Sequence, residues 1–109
     1  MYTIDIHSNK ENIEIAKEEL NEAIKLARKT KERVIAAIVG YGSISGKHRI
    51  KSNMLLHLDY LKEKKNIKDY IVGSDLDLFN PIYLNFKYQS LIPDSEKRSK
   101  NPGIIYIIL

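Results

Sequence analysis

An aspartate and a histidine stand two residues apart near the start of the chain, in the segment Ile4-Asp5-Ile6-His7. Apolar Tyr2, Ile4 and Ile6 alternate with polar residues, and this period predicts a strand over residues 2–7. Asp5 and His7 then project from one face, where the carboxylate can keep the imidazole usable as an acid or base near neutral pH. The same alternation is also typical of a solvated strand face, and both interpretations stay open.

A glycine-rich segment followed by a basic run forms a second candidate site. Its glycines let the backbone approach a ligand closely, so that successive N–H groups can surround a phosphate. The basic run stands where we predict a helix to begin, and a helix N-terminus favours an anion. We predict a phosphate site formed by Gly40, Gly42, Ser43, Gly46, Lys47, His48, Arg49 and Lys51. Glycine-rich turns between a strand and a helix are also common without any ligand.

Two phosphate-binding motifs are close to this segment but do not match it. A P-loop whose Gly-Lys pair is Gly46-Lys47 would need a glycine where Tyr41 stands and a hydroxyl residue where His48 stands. The dinucleotide fingerprint would need its third glycine at Ser45. No recognisable spacing of metal ligands accompanies the segment, and the need for a divalent metal stays open.

The composition narrows the class of protein. The chain has 109 residues, 43% of them hydrophobic and 29% charged, which fits one globular domain. Because cysteine is absent, disulfides, thiolate zinc sites and cysteine nucleophiles are excluded. The net charge of +4 favours a polyanion such as nucleic acid. No apolar run approaches the ~18 residues that span a bilayer, and no signal-peptide pattern opens the chain. We therefore expect a cytoplasmic protein without membrane contact.

The elements that must position these residues follow the order βαβαβ, an irregular stretch, and a last strand. A capping box at residues 8–11 predicts a first helix to about residue 30. An unbroken apolar run predicts a strand at 34–39, followed by a helix over 48–64 and strands at 67–72 and 103–109. This order predicts an α/β two-layer sandwich in which two helices cover one face of a four- to five-strand mixed sheet.

Two further expectations concern the rest of that sheet. We expect its second face to stay open to solvent or ligand, with Thr3, Asp5 and His7 on it. Within the irregular stretch 74–102, alternation over residues 82–88 suggests a short edge strand, and residues 94–100 suggest a mobile loop. Its aromatic residues could stack nucleic-acid bases, but their position in a β-like segment favours packing.

The order of these pieces resembles the small MutS-related (Smr) domain family. Ile4-Asp5-Ile6-His7-Ser8 is similar to that family's opening D-L-H-G, and Glu22-Ala23 to the E-A of its first helix. Val39-Gly40-Tyr41-Gly42 is similar to its H-G-x-G loop, and Ile50-Lys51 to the L-R that follows. The glycine-led strand over residues 103–109 resembles the closing strand. The resemblance covers nearly the whole chain, as one domain over residues 1–109 with an insertion at 74–102.

The resemblance implies a two-layer domain that binds nucleic acid, and several Smr domains nick or cleave it. It assigns Asp5, His7, the glycine-rich loop and Lys51 to the site. The chain departs from the family where Val39 replaces the loop histidine and where Lys51 replaces an arginine, which gives up bidentate phosphate geometry. We predict a nucleic-acid-binding domain with endonuclease activity on DNA or RNA. The alternatives are a non-catalytic nucleic-acid-binding module and a protein-interaction domain.

Overall fold

The computed structural model describes residues 1–6, 12–40, 49–77 and 79–109. Its strands β1 (Tyr2–Asp5), β2 (Val34–Ile38), β3 (Asp69–Val72) and β4 (Ile104–Ile108) form one sheet in the order β1-β2-β4-β3. Strands β1 and β2 are parallel, whereas β4 lies between β2 and β3 and is antiparallel to both. The predicted α/β fold with a mixed sheet is confirmed.

Two long helices, α1 (Ile13–Lys29) and α2 (Arg49–Glu63), cover one face of the sheet, as predicted. Helix α1 begins later than expected, because the side-chain oxygen of Asn12 caps it by accepting a hydrogen bond of 3.0 Å from Ile15 N–H. The predicted capping box at residues 8–11 lies outside the described residues. Apolar residues at helical spacing form the core under these helices, among them Ala16, Leu20, Ala27, Met54, Leu58 and Leu61.

The opposite face of the sheet is covered across β2, β4 and β3, so the prediction of an open face is wrong for most of its width. Residues 73–101 contain a 3₁₀ turn (Gly73–Asp75) and the helices α3 (Phe86–Leu91) and α4 (Asp94–Ser99). Apolar side chains of this segment form a second core with the sheet: Leu76, Ile82, Tyr83, Tyr88, Leu91 and Ile92. On the edge strand β1, Thr3 and Asp5 remain exposed.

Local hydrogen bonds explain why the segment 82–88 is not the predicted edge strand. The side-chain oxygen of Asn80 accepts hydrogen bonds from the N–H groups of Ile82 and Tyr83, which closes a turn. Asn85 then caps α3 by accepting from Lys87 N–H at 3.0 Å. The predicted loop at 94–100 is instead mostly helix α4, which has acidic residues in its first turn and basic residues in its last.

Candidate functional site

The carboxyl ends of β1 and β2 lie side by side at one edge of the sheet. Asp5 is paired with Ile38 in the parallel register, and Ile6 N–H donates a hydrogen bond of 2.9 Å to Ile38 C=O. The chain therefore leaves the sheet at two neighbouring points, Ile6 after β1 and Gly40 after β2. His7 follows Ile6 directly in sequence, and the glycine-rich segment continues from Gly40.

Gly40 itself adopts a conformation that favours glycine, with φ of 80°. The carbonyl oxygen of Gly103 accepts hydrogen bonds from the N–H groups of Val39 and Gly40, at 2.8 and 3.1 Å. A Cβ atom added to Gly103 would lie 3.1 Å from the Gly40 carbonyl carbon, so the two backbones are in close contact. Gly103, directly before β4, thus holds Gly40 in place at the start of the glycine-rich segment.

Asn101 completes this edge, and the sequence analysis missed it. Its side-chain oxygen accepts a hydrogen bond of 2.8 Å from Gly103 N–H. Its carbonyl oxygen would lie 2.2 Å from a Cβ atom added to Gly73, which follows β3. The turn dipeptide Asn101-Pro102 before a glycine is the signal that could have identified it.

The structure locates four of the predicted site residues. Asp5 is exposed at the end of β1, Gly40 is half-buried after β2, and Arg49 and Lys51 lie in the first turn of α2, where the Lys51 side chain is half-buried. The other predicted residues lie outside the described part of the chain: His7, Gly42, Ser43, Gly46, Lys47 and His48.

Val39, which directly precedes Gly40, points into the core. Its side chain is 2% exposed and belongs to the apolar cluster beneath α1 and α2. This position therefore presents no polar side chain at the edge of the sheet.

Among the described residues, two grooves on the helical side of the sheet contain no predicted site residue. One, of about 550 Å³, runs between β1 and α1 and has a rim that includes Glu18, Glu19 and Glu22. The other, of about 370 Å³, lies between α1 and α2 and is lined by Arg28, His57 and Tyr60 among others. The first groove carries Lys25 and Lys29 beside these glutamates, whereas the lining of the second groove has cations and no carboxylate.

The described residues contain no group of three or more histidine, aspartate or glutamate side chains that could hold a metal ion. No helix in this part of the chain is both long enough and apolar enough to cross a membrane.

Comparison of the chain with models of known protein families, with curated proteins and with solved structures gives no significant match.

Proposed function

We propose that this chain is a nucleic-acid-binding domain of the Smr type that cleaves phosphodiester bonds. The proposal rests on one observation, which is that β1 and β2 end next to each other at the same edge of the sheet. It supports a site in which the Asp5-x-His7 pair and the glycine-rich basic segment act on one phosphate, because both leave the sheet from that edge.

In the proposed reaction, the basic segment and Lys51 bind the phosphate, and backbone N–H groups stabilise the charge that develops on it. The oxygen of a water molecule forms a bond to phosphorus while its proton passes to the His7 imidazole, which Asp5 orients. The phosphorus–oxygen ester bond then breaks, the leaving oxygen takes up a proton from solvent water, and the His7 imidazolium returns its proton to solvent. Asp5 is a positioning residue in this scheme, since it acts through His7.

Cleavage of end-labelled single- and double-stranded DNA and RNA, with and without divalent cations, tests this proposal. We expect His7→Ala to abolish cleavage and to retain binding, with a loss of about 10²-fold or more in rate. Asp5→Asn should reduce the rate and shift its pH profile, whereas Asp94→Asn, at an exposed carboxylate of α4, should do neither. Cleavage by His7→Ala at the wild-type rate would show that the mechanism is wrong.

The burial of Val39 favours a second candidate function, which is binding without cleavage. Under that function, the wild-type protein binds nucleic acid in a salt-dependent manner and yields no product on any of the four substrates. Lys47→Gln combined with Lys51→Gln should then weaken binding, and His7→Ala should leave it unchanged. Failure of the wild-type protein to bind any of the substrates would contradict both functions.

A further inference from the structure

A set of exposed cations lies at the opposite end of the sheet, where α1 and α2 finish. We call it the helix-end surface, and it consists of Arg28, Lys29, Lys31, Lys64, Lys65 and Lys68. None of these side chains forms an ion pair with a described carboxylate. Two carboxylates at this end form ion pairs with cations outside this set: Glu32 pairs with the Met1 ammonium at 3.0 Å, and Asp69 pairs with Lys62 at 3.1 Å. Glu63 and Asp59 are exposed acidic exceptions, and the Asp59 carboxylate accepts a hydrogen bond from the Tyr70 hydroxyl.

The sheet brings the cations at the end of α1 close to those that follow α2. Leu109 N–H donates to Arg33 C=O at 3.0 Å, and Lys68 N–H donates to Ile108 C=O at 2.8 Å. The chain that follows α1 and the chain that follows α2 therefore enter the sheet on either side of β4. Because neighbouring strands lie about 4.8 Å apart, these two entries are separated by roughly 10 Å.

Both long helices end with a lysine in a left-handed backbone conformation. Lys31 has φ of 62° and Lys65 has φ of 63°, and in each case the next N–H donates to a carbonyl five residues earlier, in Ala27 and Leu61. Glycine is the usual residue at this position, because a side chain there is strained. The chain therefore has a cation at both positions in spite of the backbone strain.

The groove between α1 and α2 opens beside these cations. Tyr60, 53% exposed, forms part of its wall, together with Arg28 and Asn66. The Lys64 ammonium lies 5.8 Å from the centre of the Tyr60 ring, at the position of a cation–π contact. The imidazole of His57 stacks on the same ring with centroids 6.2 Å apart and lies 3.0 Å from the Asn21 side-chain oxygen.

From this combination we propose that the helix-end surface binds single-stranded nucleic acid, with phosphates on the lysines and arginines and one base on Tyr60. Single strands expose bases that can stack on an aromatic side chain, whereas a duplex keeps its bases stacked inside. Lys64 leaves the Tyr60 ring for a phosphate when a base arrives. This surface is separate from the edge at which β1 and β2 end, so the proposal does not depend on cleavage there.

Fluorescence anisotropy with a short labelled single strand, in RNA and in DNA form, tests the surface. We expect Lys31→Gly combined with Lys65→Gly to weaken binding about tenfold at about 0.1 M salt, and to reduce the slope of log K against log salt by about 1.4. The same variant should have a higher Tm, because the left-handed strain is relieved. Weaker binding together with a higher Tm separates loss of the surface from unfolding.

The matched control is Lys87→Gln combined with Lys100→Gly. This variant also removes two positive charges, and it also replaces a lysine in a left-handed backbone conformation, Lys100, with φ of 45°. Both residues lie in the segment that covers the opposite face of the sheet. We expect this variant to bind as the wild-type protein does. An equal loss of affinity in the control would overturn the proposal, because net charge alone would then account for binding.

Substitutions of Tyr60 test the contact with the base. Tyr60→Ala should weaken binding at least about fivefold, and Tyr60→Phe should retain it because the ring is kept. All variants are repeated in the Lys47→Gln and Lys51→Gln background, which removes the other candidate site. Equal or tighter binding of a duplex, or unchanged binding of both the lysine variant and Tyr60→Ala, would overturn the proposal.

Discussion

Tyr106 places a polar hydroxyl group in the apolar core. Its side chain is fully buried on the covered face of the sheet, and its hydroxyl makes no hydrogen bond of good geometry with the described residues, although the Glu96 carboxylate lies close to it. Burial, and then the nearby Glu96 carboxylate, raise the pKa of the Tyr106 phenol above its usual range. A buried hydroxyl without a partner lowers stability, since it has lost its hydrogen bonds to water.

Tyr106→Phe should therefore raise the free energy of unfolding by about 1 kcal/mol near neutral pH. Above about pH 10 the tyrosine ionises in the unfolded chain while the native phenol stays protonated, so the wild-type protein loses stability as the pH rises. Tyr106→Phe should lose less stability over that range. Urea unfolding at neutral and alkaline pH measures both effects. Tyr60→Phe, at an exposed ring, is the control, and a loss of stability in Tyr106→Phe at neutral pH would contradict the prediction.

The helices end in a backbone conformation that the residues at these positions do not favour. The three described non-glycine residues with positive φ are all lysines, and each follows the end of a helix: Lys31, Lys65 and Lys100. Hydrogen bonds across the turn satisfy the last carbonyl groups of α1 and α2, so the geometry is that of a glycine-terminated helix without the glycine. The positive side chains interact favourably with the helix dipole, which offsets part of the strain.

Lys31→Gly and Lys65→Gly should each stabilise the fold by about 0.5–1 kcal/mol, because relief of left-handed strain exceeds the added backbone entropy of glycine in the unfolded chain. Differential scanning calorimetry of each single variant measures the change. Lys29→Gly is the contrasting variant, since Lys29 lies in the last turn of α1, where glycine should destabilise by a similar amount. Equal destabilisation by all three substitutions would show that the lysine conformation is not strained.

At the scale of the whole molecule, residues 73–101 give the sheet a second core. Ile92 is 3% exposed and packs with Ile71, Tyr106 and Ile108, so the segment is integral to the domain rather than an appendage. Its covering position also confines the exposed part of this face to the edge strand β1, where Thr3 and Asp5 lie. The candidate site is therefore an edge of the sheet and not an open sheet face.

Ile92→Ala should lower the free energy of unfolding by about 2–4 kcal/mol, as expected when a large aliphatic side chain is removed from a packed core. The loss should occur within a single cooperative transition followed by far- and near-ultraviolet circular dichroism. Leu84→Ala is the control, because Leu84 is 49% exposed in the same segment and should have little effect. A separate early transition in Ile92→Ala would show that the segment unfolds independently of the sheet.

The elements that the sequence predicted correctly have periodic patterns over many residues. The alternation in β1, the apolar runs of β2 and β4, and the helical spacing in α1 and α2 each arise from local geometry, and their predicted bounds agree closely with the structure except at the start of α1. The segment 82–88 shows where such reasoning fails. Its alternation is typical of a strand, but the side-chain oxygens of Asn80 and Asn85 accept backbone hydrogen bonds that select a turn and a helix.

Local patterns were therefore sufficient to predict α1, α2 and the four strands, and they also led to the hypothesis of a site at Asp5, His7 and the basic glycine-rich segment. They did not indicate helices α3 and α4, the position of β4 between β2 and β3, the covering of the second face by residues 73–101, or the contact of Gly103 with Gly40. The tertiary structure also brought the helix-end lysines of α1 and α2 to one surface. The reason is physical: strand order and the packing of faces depend on contacts between residues far apart in the chain, and a local pattern carries no information about them.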